Sequence, residues 1–116
     1  MTTAIVCGGR DFADRDALFA TLDRLRANYG IAAVAHGGAP GADALAGQWA
    51  SSRGLVCEEF RADWKREGRK AGPLRNQRML DDAGARFVIA FPGGRGTADM
   101  VARARRKGLA VIEVAA

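Results

Sequence analysis

The residues of this chain that could do chemistry are grouped around three pairs of adjacent glycines. Each pair follows an apolar, β-rich run and precedes a helical pattern; the pairs are Gly8 with Gly9, Gly37 with Gly38, and Gly93 with Gly94. Glycine has no Cβ, so a ligand can approach the peptide N–H groups closely, and successive N–H groups at a helix N-terminus bind anions. One such turn is a weak signal, because an ordinary strand-to-helix turn explains it equally well. Three turns at one edge of a sheet predict a phosphate-binding site.

The segment 92–97, Pro-Gly-Gly-Arg-Gly-Thr, has the residue types that suit a phosphate best. Gly93, Gly94 and Gly96 lie where the chain leaves a strand and enters a helix. The hydroxyl of Thr97 can then either cap that helix or reach a phosphate. We expect these four residues to contact the anion.

Basic side chains lie near the same turns. Arg10 follows the first glycine pair, and Arg75 and Asn76 open a helix after a long polar segment. A cation at a helix N-terminus opposes the helix dipole, and the guanidinium group suits bidentate contact with a phosphate. We therefore expect an anionic ligand to compensate Arg75.

Three further side chains are candidates for the rest of the ligand. Asp43, in the first turn of a helix, either accepts hydrogen bonds from ribose hydroxyls or only favours the helix dipole. Asp63 is a second candidate for sugar hydroxyls. Trp64 either stacks on a base or anchors its own loop.

Several other chemistries are disfavoured. His36 is the only histidine and has no thiolate or carboxylate at ligand spacing, so we expect a hydrogen-bonding role at the end of a strand and no metal site. Cys7 and Cys57 lie in apolar runs and are interpreted as reduced core residues. The chain has neither a Gly-x-Ser-x-Gly elbow nor a Lys-Ser/Thr after a glycine loop, which disfavours acyl transfer and P-loop hydrolysis. No resident cofactor is expected.

Alternating strand and helix patterns must position these residues. The apolar runs that predict strands are residues 4–7, 31–35, 55–57 with Phe60, 87–91 and 109–114, and the helical patterns cover 18–29, 42–50, a stretch from Pro73 to 84, and 97–107. The helical patterns end at single glycines, as C-caps do. This order predicts an α/β, Rossmann-like three-layer sandwich, with a five-stranded mainly parallel sheet and helices on both faces. The long polar connection 60–72 is expected to be irregular and functional.

The composition fits one soluble domain over residues 1–116. Hydrophobic residues make up 48% and charged residues 27% of the chain, and no apolar run approaches the length of a membrane span. The N-terminus lacks the features of a signal peptide, so we expect a cytoplasmic protein without membrane contact. The net charge of +5 favours an anionic partner, but the basic residues are scattered, which disfavours nucleic acid.

Five ordered motifs resemble the YspA-like family of the SLOG superfamily, over nearly the whole chain. They are Gly8-Gly9-Arg10-Asp11-Phe12, His36-Gly37-Gly38-Ala39-x-Gly41-Ala42-Asp43, Ala62-Asp63-Trp64, Gly72-Pro73-x-Arg75-Asn76-x-x-Met79 and Phe91-Pro92-Gly93-Gly94-x-Gly96-Thr97. The resemblance implies a Rossmann-like fold that senses or sequesters a nucleotide or a nucleotide-derived small molecule. By analogy with relatives that dimerise through their helices, it also implies a homodimer.

The superfamily also contains the Lonely Guy phosphoribohydrolases, DprA-type DNA-binding proteins and molybdenum-cofactor carriers. The hydrolases cleave nucleoside monophosphates with an Arg in Arg-Lys-x-x-Met and a Glu that closes Pro-Gly-Gly-x-Gly-Thr-x-x-Glu. Arg75 and Met79 match the first motif, but Met100 stands at the Glu position. A thioether cannot replace a carboxylate, so N-glycosidic hydrolysis is the alternative prediction, with Arg75 and either Asp63 or Asp99 as its catalytic residues. A DprA-like role in nucleic-acid binding ranks last.

Overall fold

Strands and helices alternate along the chain, as the apolar runs predicted. The computed structural model describes residues 1–115. Its elements are β1 (Thr2–Cys7), α1 (Arg15–Tyr29), β2 (Ile31–His36), α2 (Ala42–Ser52), β3 (Val56–Glu59), α3 (Trp64–Glu67), a 3₁₀ turn (Gly68–Lys70), α4 (Ala71–Asp82), β4 (Phe87–Ala90), α5 (Arg95–Lys107) and β5 (Ala110–Glu113). Within residues 1–115, no helix is long and apolar enough to span a bilayer.

The strands form one sheet in the order β3-β2-β1-β4-β5, and every pairing is parallel. Strand β1 lies at the centre, where Ile5 pairs with Ala35 of β2 on one side and with Val88 of β4 on the other. The chain first winds outward from β1 to β3 and then crosses back to β4. The loops after β1 and β4 therefore leave in opposite directions, which opens a crevice at the carboxyl ends of these strands.

Helices cover both faces of the sheet and confirm the predicted three layers. Side chains of α1 and α2, including the fully buried Leu22 and Trp49, pack on one face against Val6 and Val34. Side chains of α4 and α5 pack on the other face against Ile5 and Val88. The two faces alternate along each strand, as the pleat requires.

The third strand differs from its prediction. Strand β3 runs from Val56 to Glu59, later than the predicted 55–57, and all four of its residues are exposed. It is an edge strand, with only β2 as a neighbour. The interpretation of Cys57 as a core residue is therefore wrong, whereas Cys7 is half-buried and packs against the cluster under α4 and α5.

The polar connection 60–72 is not an irregular loop. It contains α3 and the 3₁₀ turn, and α4 begins at Ala71, two residues before Pro73. Proline is tolerated there because the N–H groups of a first helical turn have no intrahelical partner. The carboxylate of Asp63 caps α3 by accepting a 3.1 Å hydrogen bond from the amide of Arg66.

Two of the four glycines predicted to end the helices are their C-caps, and the other two each follow one residue after the C-cap. Gly30 and Gly108 are left-handed C-caps with φ of 69° and 83°. Gly54 and Gly84 also have positive φ, just after α2 and α4. These single glycines lie at the amino ends of the parallel strands, whereas the paired glycines lie at the carboxyl ends.

Candidate functional site

A cavity of about 930 Å³ opens at the carboxyl ends of β1, β2 and β4. This volume lies in the upper part of the range typical of small-molecule sites. The paired-glycine turns all contribute to its wall. It occupies the crevice where the strand order reverses, which is where open parallel sheets bind ligands.

The three glycine-rich turns are joined by backbone hydrogen bonds. The amide of Gly9 donates to the carbonyl of Pro92 at 2.8 Å, and the carbonyl of Gly9 accepts from the amide of Ala42 at 3.1 Å. Gly41 has φ of 80°, and a Cβ there would lie 2.6 Å from the carbonyl oxygen of Arg10. The turns after β1, β2 and β4 thus form one connected rim.

The structure brings nearly all the predicted ligand-binding residues to this cavity. Those that line it are Gly8, Gly9, Arg10, Gly37, Asp43, Trp64, Arg75, Asn76, Gly93, Gly94, Gly96 and Thr97. Gly38 and Asp63 are not part of the lining. The amide of Gly38 donates to Nδ1 of His36 at 3.0 Å, and Asp63 is occupied as the cap of α3. His36 therefore has the hydrogen-bonding role that its position predicted.

Asp43 holds the loop after β2. Its carboxylate is 6% exposed, and Oδ2 accepts hydrogen bonds from the amides of Gly37 at 3.1 Å and Ala39 at 3.2 Å. Burial raises the pKa of this carboxyl group, while these hydrogen bonds act in the opposite direction. Asp43 lies in the first turn of α2, as predicted, and it also organises the loop after β2, a role that the sequence did not predict.

Arg75 is a half-buried cation that contacts neutral groups. Its Nη1 donates to the carbonyl of Gly37 at 2.6 Å, and its Nε donates to Oδ1 of Asn76 at 3.0 Å. Within residues 1–115, no carboxylate forms an ion pair with this guanidinium. Burial lowers the pKa of Arg75, and the positive charges of Arg78 and Arg10 act in the same direction, whereas the negative charge of Asp43 acts against them.

The position of Arg75 in its helix differs from the prediction. Since α4 begins at Ala71, Arg75 lies beyond the first turn and does not open the helix. The expected conflict with the helix dipole is therefore weak. Desolvation is therefore the main physical reason to expect an anionic ligand at Arg75.

Asn76 connects α4 to the start of α5. It is 5% exposed, and its Nδ2 donates to Oδ2 of Asp99 at 3.0 Å and to the carbonyl of Gly96 at 3.3 Å. Oδ2 of Asp99 also accepts from Nε of Arg103 at 2.9 Å. The first turn of α5 is thus fixed relative to Arg75.

Packing explains why glycine is required at some positions of the cavity wall, but not at others. A Cβ on Gly8 would lie 2.5 Å from the Cβ of Ala42, and one on Gly37 would lie 2.6 Å from Cζ of Arg75. A Cβ on Gly94 or on Gly96 would have no protein atom within 4 Å. Gly96 lies within α5 and its φ is outside the left-handed region, so backbone conformation does not require glycine there either. The space beside Gly94 and Gly96 is open.

The start of α5 presents backbone donors beside that space. Gly94 is the N-cap and has no side chain to accept from the amides of the first turn, which have no partner within the helix. Thr97 does not cap the helix, and its Oγ1 occupies the position that a Cβ on Gly93 would take. A helix of 13 residues directs the positive end of its dipole toward this point.

Trp64 lies at the mouth of the cavity, on the first turn of α3. It is 55% exposed and close to Gly72, where a Cβ would lie 3.3 Å from its ring. Phe12 and Pro73 add apolar surface to the lining. The cavity therefore combines an aromatic, apolar part with the polar rim of the glycine turns.

Several residues that line the cavity were not predicted from the sequence to belong to the site. Arg69 and Arg95 add positive charge, and Asp11 adds a carboxylate. Asp11 belongs to the first motif and Arg95 occupies the variable position of the last, but the direction of each side chain depends on the turn and is not visible in the sequence. Cys7 also lines the cavity, but burial raises its pKa to about 12, so its thiol stays protonated at neutral pH.

Asp99 and Met100 lie on different sides of α5. Met100 is 1% exposed and packs in the core with Ile5 and Met79, whereas Asp99 lines the cavity. Successive residues of a helix project about 100° apart, so only one of the two faces the cavity. The chain keeps a carboxylate in the cavity at position 99. Within residues 1–115, no group of three His, Cys, Asp or Glu side chains is arranged to hold a metal ion.

Comparison with known proteins identifies the family. Gene 61 protein of Mycobacterium phage D29 is 40% identical to this chain over 121 aligned residues, which cover 97% of this chain and 95% of the phage protein. The family model described as YspA, cpYpsA-related SLOG family matches residues 2–66, which include the turns after β1 and β2 and the start of α3. That match is more than half of the chain, and the phage relative extends the similarity through α4 and α5. The chain therefore belongs to the YspA, cpYpsA-related SLOG family.

Proposed function

We propose that this protein binds a nucleotide or a nucleotide-derived small molecule, with a phosphate group at the first turn of α5. The observation that carries this proposal is the open space beside Gly94 and Gly96. Glycine within a helix is about 1 kcal/mol less favourable than alanine, yet neither packing nor backbone conformation explains Gly96. A ligand that contacts the backbone amides directly would explain it.

Arg75 supports the same location for the anion. A half-buried guanidinium with neutral partners is costly unless a bound anion completes its surroundings. Gly37 has no side chain at the place that Arg75 occupies, so the fold accommodates this cation close to the cavity rim. We infer that Arg75 and the amides of α5 share one phosphate group.

The remainder of the ligand extends toward α3. Trp64 is the exposed aromatic side chain of the lining and offers a stacking surface for a nucleobase. The volume of about 930 Å³ exceeds what a phosphate needs and accommodates a ligand of nucleotide size. Membership of the SLOG family favours a nucleotide-related ligand in general.

Calorimetric titration tests this proposal. The purified chain is titrated with AMP, ADP-ribose, NAD and cyclic AMP, and adenosine serves as the control without phosphate. We expect at least one phosphorylated ligand to bind and adenosine to bind more weakly. A folded sample that binds none of the four would contradict the proposal.

Phosphoribohydrolase activity is a second candidate, and the position of Asp99 favours it. Although Met100 replaces the expected Glu, Asp99 places a carboxylate in the cavity together with Arg75. Asp63, the other carboxylate considered for this role, caps α3 outside the lining. Incubation with AMP and chromatography for free adenine tests this candidate. Adenine release that is lost in both Arg75→Ala and Asp99→Asn variants would support it, and no release by the folded wild-type chain would exclude it for AMP.

A further inference from the structure

Asn76 joins the arginine of the proposed anion site to the helix turn that faces it. Its Oδ1 accepts from Nε of Arg75 at 3.0 Å, and its Nδ2 donates to Asp99 at 3.0 Å and to the carbonyl of Gly96 at 3.3 Å. The residue is 5% exposed, so these hydrogen bonds are largely shielded from solvent. One amide therefore sets the distance between Arg75 and the start of α5.

The amide group has two properties at this position. It supplies an acceptor to Arg75 and a donor to Asp99, which a carboxylate of the same shape could not do. It is also uncharged, so it fixes the guanidinium of Arg75 without neutralising it. The other acceptor of Arg75, the carbonyl of Gly37, is uncharged as well.

We propose that Asn76 is a positioning residue that orients Arg75 while leaving its positive charge for the ligand, so that a carboxylate at position 76 switches the anion site off. This inference rests on the proposed function of the cavity. An aspartate would pair with Arg75 through Nε and compete with the anion for the same cation. It would also lie against the carboxylate of Asp99, where the amide now donates.

Exchanging the amide and the carboxylate between positions 76 and 99 separates a role of Asn76 in positioning Arg75 from a role in folding. Four variants are compared with the wild-type chain at about pH 8, where aspartate is ionised: Asn76→Asp, Asp99→Asn, the double variant Asn76→Asp with Asp99→Asn, and Gln77→Glu. In the double variant, the amide at position 99 can donate to the carboxylate at position 76. Gln77→Glu is the matched control, because it makes the same change one residue away, outside the cavity lining and without contact to Arg75.

The measurements are the affinities for AMP and for ADP-ribose by calorimetry, and Tm by circular dichroism. We expect Asn76→Asp to lower Tm and to weaken binding by about tenfold or more. The double variant recovers much of the lost Tm but keeps the weak binding, because the carboxylate still occupies Arg75. Gln77→Glu binds within about twofold of the wild type, since a more distant charge is screened.

The outcomes that overturn the inference are distinct from failure of the proposed function. If the double variant regains wild-type affinity together with its Tm, or if Asn76→Asp binds as tightly as the wild type, Asn76 has only a structural role. Should Asn76→Asp fail to fold, the double variant alone decides between these results. If the wild-type chain binds neither AMP nor ADP-ribose, the inference falls with the site on which it rests.

Discussion

Replacing Gly96 by alanine should stabilise the protein and weaken ligand binding. The new methyl group meets no protein atom within 4 Å, so it causes no steric clash within the chain. Alanine is favoured over glycine in a helix by up to about 1 kcal/mol. For a domain of roughly 100 residues, such a gain in the free energy of unfolding corresponds to an increase in Tm of about 4 °C.

The effect on binding has the opposite sign. The methyl group would occupy the space in which the phosphate is proposed to contact the amides of α5. A hydrogen bond to a charged group contributes about 1.5–3 kcal/mol, so the loss of one such bond weakens binding by about tenfold to a hundredfold. A gain in stability together with a loss of affinity is the pattern expected where a residue is kept for function at the expense of stability.

Thermal unfolding and calorimetry with AMP and ADP-ribose measure the two effects on the same samples. Ala44→Gly is the matched control, because Ala44 is exposed on α2 and outside the cavity lining. We expect this control to lower Tm and leave affinity unchanged, which would show that the two quantities vary independently. Wild-type affinity in the Gly96→Ala variant would refute the reasoning, because the open space would then have no role in binding.

Three further predictions concern other residues of the site. Arg75→Ala should weaken AMP binding by about tenfold or more, whereas removal of the exposed Arg24 on α1 should change it by less than about twofold; calorimetry measures both. Trp64→Leu should weaken AMP binding by about tenfold but leave binding of inorganic pyrophosphate unchanged, since only the base stacks; equal losses for both ligands would contradict stacking. Burial lowers the pKa of His36 below its ordinary value of about 6.5, so the folded state binds fewer protons than the unfolded state there. Stability should therefore be lost as the pH falls from about 6.5 toward the folded pKa, and a histidine NMR titration with a midpoint at or above 6.5 would contradict this.

The fold was predictable because the apolar runs that form β1, β2 and β4 are buried on both faces. Residues Ile5, Val34 and Val88 are almost completely buried, so their hydrophobicity reports directly on their place in the sheet. The pattern failed at β3, where Glu58 and Glu59 continue the strand. Backbone pairing with Ala35 and His36 sets that register, and the two exposed glutamates give no apolar signal that would extend the predicted strand.

The start of α4 was missed for a related reason. Proline after a polar segment indicated a helix that begins at Pro73, but the 3₁₀ turn leads directly into a helix at Ala71. Ala71 is fully buried, so tertiary packing holds the first turn in place. Because α4 begins two residues earlier than predicted, the reason to expect an anion at Arg75 is desolvation of the guanidinium and not an unfavourable helix dipole.

The sequence grouped the paired glycines correctly but could not distinguish their roles. Gly9 and Gly93 sit where backbone segments cross, since a Cβ on Gly93 would lie 2.7 Å from the amide nitrogen of Gly9. Gly94 follows Gly93 directly and faces open space. Adjacent identical residues thus lie in a packed and in an open environment respectively, and only their surroundings in three dimensions separate the two.

The same limit applies to the departure from the hydrolase motif at Met100. A motif assigns a function to a position, but the cavity receives whichever side chain the phase of the helix directs toward it. Because α5 begins at Arg95, Met100 packs in the core and Asp99 lines the cavity. Loss of the expected Glu therefore does not mean loss of a carboxylate. Oδ2 of Asp99 also accepts hydrogen bonds from Asn76 and Arg103, so the same carboxylate lines the cavity and holds the first turn of α5 against α4.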